Sequence, residues 1–175
     1  MATRQLDVLN TKGTHAVGNI NSKQVKTLAN GAKCKEAIDN FTIVELLVED
    51  GERKCQQLTV KTNKGYLIAS VEMRTMGEEL VDFYNGENEM ARVVVFEPGY
   101  TRFDVSAFTK NAGLTEVVVG NVAHFDVATK KFIISEVGSE HADYGTSANQ
   151  FLVVASEEDL DYTLGAPLVR LEVIK

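Results

Sequence analysis

Apolar and polar residues along most of this chain follow the period of two that is typical of β-strands with one buried face. The run FTIVELLVED, residues 41–50, is rich in β-branched residues and ends at Asp50–Gly51, a pair that favours a tight hairpin turn. CQQLTVKT and YLIASVEM follow, separated by the turn residues Asn63-Lys64-Gly65. These segments predict an antiparallel meander of three strands.

The same texture continues to the end of the chain, with a type II turn predicted at Pro98–Gly99. The further predicted strands are EMARVVVFE, TRFDVSAF, LTEVVVG, a hairpin over 122–135, QFLVVA and LVRLEVIK. Short helices are predicted at about 22–30, 75–86 and 156–165 from capping residues and apolar spacing. Because strands and helices do not alternate, we predict an all-β fold, an antiparallel sandwich or barrel with two or three short helices.

Residues 1–40 differ from the rest because they are polar and interrupted by glycine and asparagine. A segment with so few apolar residues cannot build a core of its own, so we predict an extended N-terminal arm that lies on the β-domain or on a neighbouring subunit. The β-domain is then residues 41–175, either as one unit or as two small β-modules divided near 97–99. The candidate interface residues of the arm are Leu6, Val8, Leu9, Val17 and Ile20.

Charge and hydropathy restrict the partners. The formal charge is −7 and the pI is about 5.0, which argues against sequence-independent binding of nucleic acid. No run approaches the roughly 20 apolar residues that span a bilayer, so no membrane association is expected. The first residues lack the apolar segment of a secretory signal, so synthesis in the cytoplasm is expected.

His124 and Asp126 are the most suggestive candidates for chemistry, because a histidine near a carboxylate can serve acid–base catalysis or metal binding. Residues i and i+2 of a strand share a face, so the pair is predicted together on a polar face turned to solvent or to a neighbouring subunit. The opposite face, with Ala123, Phe125 and Val127, is predicted to enter the core. No third residue with recognisable spacing joins the pair, but a ligand- or metal-binding β-barrel that uses it stays open as an alternative.

The remaining candidates offer less chemistry. His141 and Asp143 repeat the same spacing in a polar loop, 137–149, predicted to lie at the surface. Cys34 and Cys55 belong to no CxxC pair and are predicted to be reduced, partly buried thiols. Since no nucleophile, phosphate-binding or zinc-protease motif occurs, we expect a protein that is not an enzyme and that uses no cofactor and no metal.

Three stretches resemble small virion proteins of tailed bacteriophages: MATRQLDVLNTKGTHAVGNI, VGNVAHFDVATKKFIIS and FLVVASEEDLDYTLGAPLVRLEVIK. The second is similar to hairpins of head-decoration modules at Gly120, Phe125, Asp126, Thr129 and Lys131. The long spine helix of a major capsid protein has no counterpart, so the likeness is to an auxiliary protein. It implies a homo-oligomeric capsid decoration or head-stabilising protein that binds the major capsid protein at the capsid surface. A tail or neck component is the alternative.

Overall fold

The computed structural model of the protein describes residues 18–71, 83–156, 160 and 167–175. These residues form fifteen strands and a single 3-10 turn at Tyr144–Thr146. No helix within the described ranges has the length and apolarity needed to cross a membrane. The strands, in chain order, are β1 (Gly18–Ile20), β2 (Ala32–Cys34), β3 (Ile38–Asp39), β4 (Ile43–Glu49), β5 (Glu52–Gln57), β6 (Tyr66–Ile68), β7 (Tyr84–Asn85), β8 (Met90–Ala91), β9 (Val93–Val94), β10 (Arg102–Val105), β11 (Phe108–Lys110), β12 (Val122–Asp126), β13 (Lys131–Ser135), β14 (Gln150–Ala155) and β15 (Val169–Val173).

The strands assemble into two large sheets and one small one. The seven-stranded sheet has the order β1-β10-β15-β14-β12-β13-β11, and the six-stranded sheet has the order β8-β2-β5-β4-β6-β9. β3 and β7 pair separately. All pairings are antiparallel except β11 with β13 and β2 with β5. The predicted all-β class, with mainly antiparallel sheets, is therefore confirmed.

A shared core lies between the two large sheets, which is the arrangement of a β-sandwich. Ile43 and Leu67 of the six-stranded sheet pack there with side chains of the seven-stranded sheet. The rings of Phe103, Phe132 and Phe151 contact one another with centroids 5.3 to 5.7 Å apart. Aromatic side chains bury a large apolar area and interlock at steep angles, so these three rings form the centre of the seven-stranded sheet's side of the core.

The six-stranded sheet also covers a second core on its other face. The buried residues there are Ala32, Cys34, Ile38, Val44, Cys55, Ile68, Ala91 and Val93. Consecutive residues of one strand point to opposite faces, so Ile43 enters the shared core and Val44 enters the second core. The same division separates Leu67 from Ile68. The continuous apolar runs of this sheet are explained by burial on both faces.

Two predicted turns are confirmed. Asp50 and Gly51 both have positive φ, 55° and 76°, and they connect β4 to β5. Gly99 has φ 73°, and the N–H of Tyr100 donates to the carbonyl of Glu97 at 3.0 Å. This second turn marks the point where the chain leaves the six-stranded sheet and enters β10.

Two predicted elements are wrong. Residues 22–30 form bends and a turn in place of a helix, with an isolated bridge from Thr27 to Val94, since Asn30 and Gly31 adopt positive φ and contacts with the sheet replace helical hydrogen bonds. LTEVVVG is a loop in place of a strand, because the Asn121 side chain accepts the N–H of Val118 at 2.8 Å and closes a local turn. The helices predicted at 75–86 and 156–165 lie mostly outside the described residues. The last turn predicted for the first of them is wrong, because Tyr84–Asn85 is strand β7 and pairs with β3.

The predicted arm is described only from residue 18 onward. This part contributes β1, β2 and β3 to the three sheets, so residues 18–40 are integrated into the fold. β1 pairs with β10, and Ile20 is half-buried opposite Phe103. Leu6, Val8, Leu9 and Val17, the other predicted interface residues, lie outside the described residues.

Candidate functional site

His124 lies at the centre of β12, opposite Ile133 of β13 and Gln150 of β14. It is only 1% exposed, and neither ring nitrogen has a hydrogen-bond partner. The prediction that His124 faces solvent or a neighbouring subunit is therefore wrong. Burying an imidazole whose nitrogens lack hydrogen-bond partners costs free energy. The residues packed around His124 must therefore explain why it is buried.

The loop predicted to lie at the surface, 137–149, covers this histidine. The His141 ring stacks on the His124 ring with centroids 5.1 Å apart and planes 25° from parallel. Tyr144 approaches edge-on, with centroids 6.3 Å apart. Gln150 holds the loop down, because its side-chain amide donates to the carbonyl of Tyr144 at 2.9 Å. The three rings, of His124, His141 and Tyr144, form what we call the histidine cluster.

The electrostatics of the histidine cluster keep His124 neutral. Burial lowers the pKa of His124, and the neighbouring His141 lowers it further. The carboxylates of Asp143 and Asp126 act in the opposite direction without reversing the shift. Asp143 itself is paired with Lys61 at 2.5 Å, and this pair lowers the pKa of the carboxyl. His124 is thus a neutral, aromatic plug below the loop, with the ion pair of Lys61 and Asp143 beside it.

Asp126 does not act with His124 as a dyad. Its carboxylate accepts hydrogen bonds from the N–H groups of Ala128 and Thr129, at 3.1 and 3.0 Å, and from the Thr129 hydroxyl at 2.6 Å. Burial alone would raise the pKa of Asp126, but these hydrogen bonds lower it overall. The carboxylate therefore shapes the turn between β12 and β13, where Lys130 adopts φ 59°.

The histidine cluster offers few free ligand atoms for a metal ion. Nδ1 of His141 already accepts the backbone N–H of Asp143 at 3.2 Å, and the Asp143 carboxylate is already held by Lys61. Within the described ranges, no group of three or more His, Cys, Asp or Glu side chains is arranged to hold a metal ion. The arrangement can pack the loop against the sheet and respond to protonation.

Two further buried features have no sequence motif that indicates them. Cys34 and Cys55 face each other in register on β2 and β5, with their Sγ atoms 3.8 Å apart. Asp39 on β3 is 1% exposed and both of its carboxylate oxygens lack a hydrogen-bond partner. Burial raises the pKa of Asp39 to about 7. Both features depend on strand pairing, which brings residues distant in sequence together.

Exposed valines mark one end of the seven-stranded sheet. Val118 and Val119 are 47% and 62% exposed in the loop before β12, and Val137 is 63% exposed in the loop after β13. Val122 pairs with Ser135, so both loops leave the sheet at the same end. We call these three residues the valine end. The loop before β12 is held in place, since Gly120 donates its N–H to the carbonyl of Val153 at 2.9 Å.

Comparison with known proteins places the chain among phage proteins. The family model of the YonC prophage protein matches residues 11–174. The SPbeta prophage-derived protein YonC of Bacillus subtilis (strain 168) is 55% identical over 177 residues, covering all of this chain and 99% of the relative. No solved structure matches the chain. With near-complete coverage by both matches, the chain belongs to the YonC prophage protein family.

Proposed function

We propose that this protein is a non-enzymatic structural component of a phage particle, a capsid decoration or stabilising protein. In this role it binds the major capsid protein and further copies of itself at the capsid surface. Its phage origin is supported by membership of a prophage family and by the similarity to a protein of the SPbeta prophage. The more specific role is supported by the architecture and surface of the β-domain.

The valine end is the observation that carries the proposal. Isolated apolar residues are normal at a protein surface, but neighbouring apolar residues on a held loop favour a contact surface. Val118, Val119 and Val137 stand on loops that leave the same end of the sheet. A capsid shell presents many copies of one site in a symmetric array, so even a small apolar contact is strengthened by repetition.

The N-terminal residues suit a second contact of the same assembly. β1 is an edge strand of the seven-stranded sheet, and residues 1–17 precede it directly in the chain. Leu6, Val8, Leu9 and Val17 are the apolar residues predicted to meet a neighbouring subunit. Pairing of an extended segment with a neighbouring sheet is a common way to join structural proteins.

The proposal is tested in particles purified from an induced lysogen that carries the gene. Mass spectrometry should detect the wild-type protein in gradient-purified particles. The triple variant Val118→Ser, Val119→Ser, Val137→Ser should fold, by circular dichroism, but occur at least about tenfold less per particle, since each exposed valine contributes on the order of 1 kcal/mol when buried.

Val48→Ser is the matched control. Val48 is 79% exposed on β4 of the other large sheet, so its replacement should leave the amount per particle unchanged. Absence of the wild-type protein from particles, or an equal loss for Val48→Ser, would contradict the proposal. Immunogold labelling of the particles separates a head position from the alternative role as a tail or neck component.

A ligand- or metal-binding role for His124 and Asp126 has weaker support. The Asp126 carboxylate is occupied by its own turn, and the ring nitrogens of His124 are sealed below His141 and Tyr144. Elemental analysis of the purified protein tests this alternative directly. Stoichiometric metal that is lost in His124→Ala would favour it over the structural role.

A further inference from the structure

The two cysteines are placed as the partners of a cross-strand bond. Cys34 and Cys55 are directly paired in the parallel register of β2 and β5. Neighbouring strands lie about 4.8 Å apart, which falls within the roughly 4.4–6.8 Å between Cα atoms that a disulfide requires. The Sγ atoms are 3.8 Å apart, and both side chains are fully buried in the second core.

We propose that Cys34 and Cys55 are an oxidation site, at which a peroxide converts the two thiols to an intramolecular disulfide that joins β2 to β5. The site does not depend on the role in a particle proposed above. If that role holds, the bond would form after the particle leaves the reducing cytoplasm, where thiols are kept reduced.

The chemistry needs only the two thiols and the peroxide. The Cys55 thiolate attacks one oxygen of hydrogen peroxide, an S–O bond forms, the O–O bond breaks, and the departing hydroxide takes up the thiol proton as water. The Cys34 sulfur then attacks the sulfenic sulfur of Cys55, the S–S bond forms as the S–O bond breaks, and the departing hydroxide takes up the Cys34 proton and leaves as a second water. Two thiols are oxidised by two electrons, and one peroxide is reduced to two waters.

The surroundings favour Cys55 as the sulfur that reacts first. The hydrogen bond with Cys34 lowers the pKa of Cys55, whereas the same contact and burial raise the pKa of Cys34. The thiolate is the reactive form of cysteine. Because Cys34 already lies in contact, it can capture the sulfenic acid before further oxidation.

Access for a small oxidant comes from the edge of the sheet. Among the strands that the structure describes, β8 alone lies beyond β2, and it is a two-residue edge strand that begins at the exposed Met90. Short edge strands with few hydrogen bonds open more readily than central strands. Brief opening of β8 would admit a molecule the size of peroxide to the thiols without unfolding the β-sandwich.

The experiment treats the native, reduced protein with hydrogen peroxide, removes the oxidant, and then unfolds the protein in an alkylating agent. We expect a monomer that is about 2 Da lighter, carries no alkyl groups and regains both thiols with dithiothreitol. Non-reducing peptide mapping should find Cys34 joined to Cys55. Because the bond closes the chain between β2 and β5, the melting temperature should rise by roughly 5–10 °C.

Cys34→Ser and Cys55→Ser are the matched controls, since each retains one thiol and should show neither the mass loss nor the thermal shift. The peptide map of the wild-type protein decides the matter even if a variant does not fold. Two alkylated thiols after treatment, sulfinic or sulfonic products without a joined peptide, or a bond between two chains would each overturn the proposal.

Discussion

Asp39 gives the sharpest test of the energetics of this fold. Its carboxylate is buried without hydrogen-bond partners, and burial raises its pKa from 3.8 to about 7. A raised pKa of an acid means that the folded state holds the proton more tightly than the unfolded state. The stabilisation is complete below the unfolded pKa and is lost as the pH rises through about 7.

The perturbation is Asp39→Asn, which keeps the shape and removes the titration. The whole shift corresponds to about 4 kcal/mol as an upper bound, of which about 2.5 kcal/mol develops between pH 5 and pH 8. The buried amide has its own unfavourable desolvation, but this part does not vary with pH. Relative to wild type, the variant should therefore gain about 2.5 kcal/mol in unfolding free energy on going from pH 5 to pH 8.

Urea unfolding followed by circular dichroism at both pH values measures this difference. Asn40→Ser is the matched control, because Asn40 is a buried, uncharged neighbour that exchanges hydrogen bonds of 3.0 and 2.9 Å with the backbone of Ser70. Its loss of stability should be the same at both pH values. An Asp39→Asn difference that is equally independent of pH would refute the reasoning.

Three further predictions concern polar side chains of the seven-stranded sheet. The lowered pKa of His124 makes the folded state less stable as the pH drops below about 6.5. His124→Phe should therefore show a smaller decrease in melting temperature between pH 7 and pH 5 than the wild type. An unchanged decrease would argue against a neutral His124. Asp126→Ala removes the hydrogen bonds from Thr129 and should lower the unfolding free energy by about 1–2 kcal/mol in urea titrations. Asp104 is completely buried in a bidentate pair with Arg170, so Asp104→Ala should lower it by about 3–5 kcal/mol, and a loss below 1 kcal/mol would contradict this.

The sequence was a good guide where local signals and tertiary structure agree. The hairpin of β12 and β13 was predicted because alternation and turn chemistry coincide, and Asp126 supplies that turn chemistry through its hydrogen bonds. The turn at Asp50–Gly51 was predicted for the same reason, since both residues accept positive φ. In such segments the chain needs no distant partner to select its conformation.

Prediction failed where contacts with residues outside the local segment determine its burial or its conformation. The alternation of side chains along β12 correctly placed His124 and Phe125 on different faces of the strand. It could not show that the loop with His141 would cover the face that carries His124. LTEVVVG has strong β-propensity, yet the side chain of Asn121 captures the backbone of Val118 and diverts the segment into a loop. Local patterns report the preference of a strand for burial, whereas the identity of the covering segment depends on the whole topology.

The division of consecutive residues between two cores makes the six-stranded sheet intolerant of changes in chain length. In β4 and β6, deletion of one residue would exchange the faces of all residues beyond it, moving side chains such as Ile43 and Val44 into each other's environment. The same link joins the two cores in unfolding, because loss of the six-stranded sheet exposes both of them. The backbone amides of β4 should therefore be among the slowest to exchange with solvent, and the molecule should melt as a single cooperative unit.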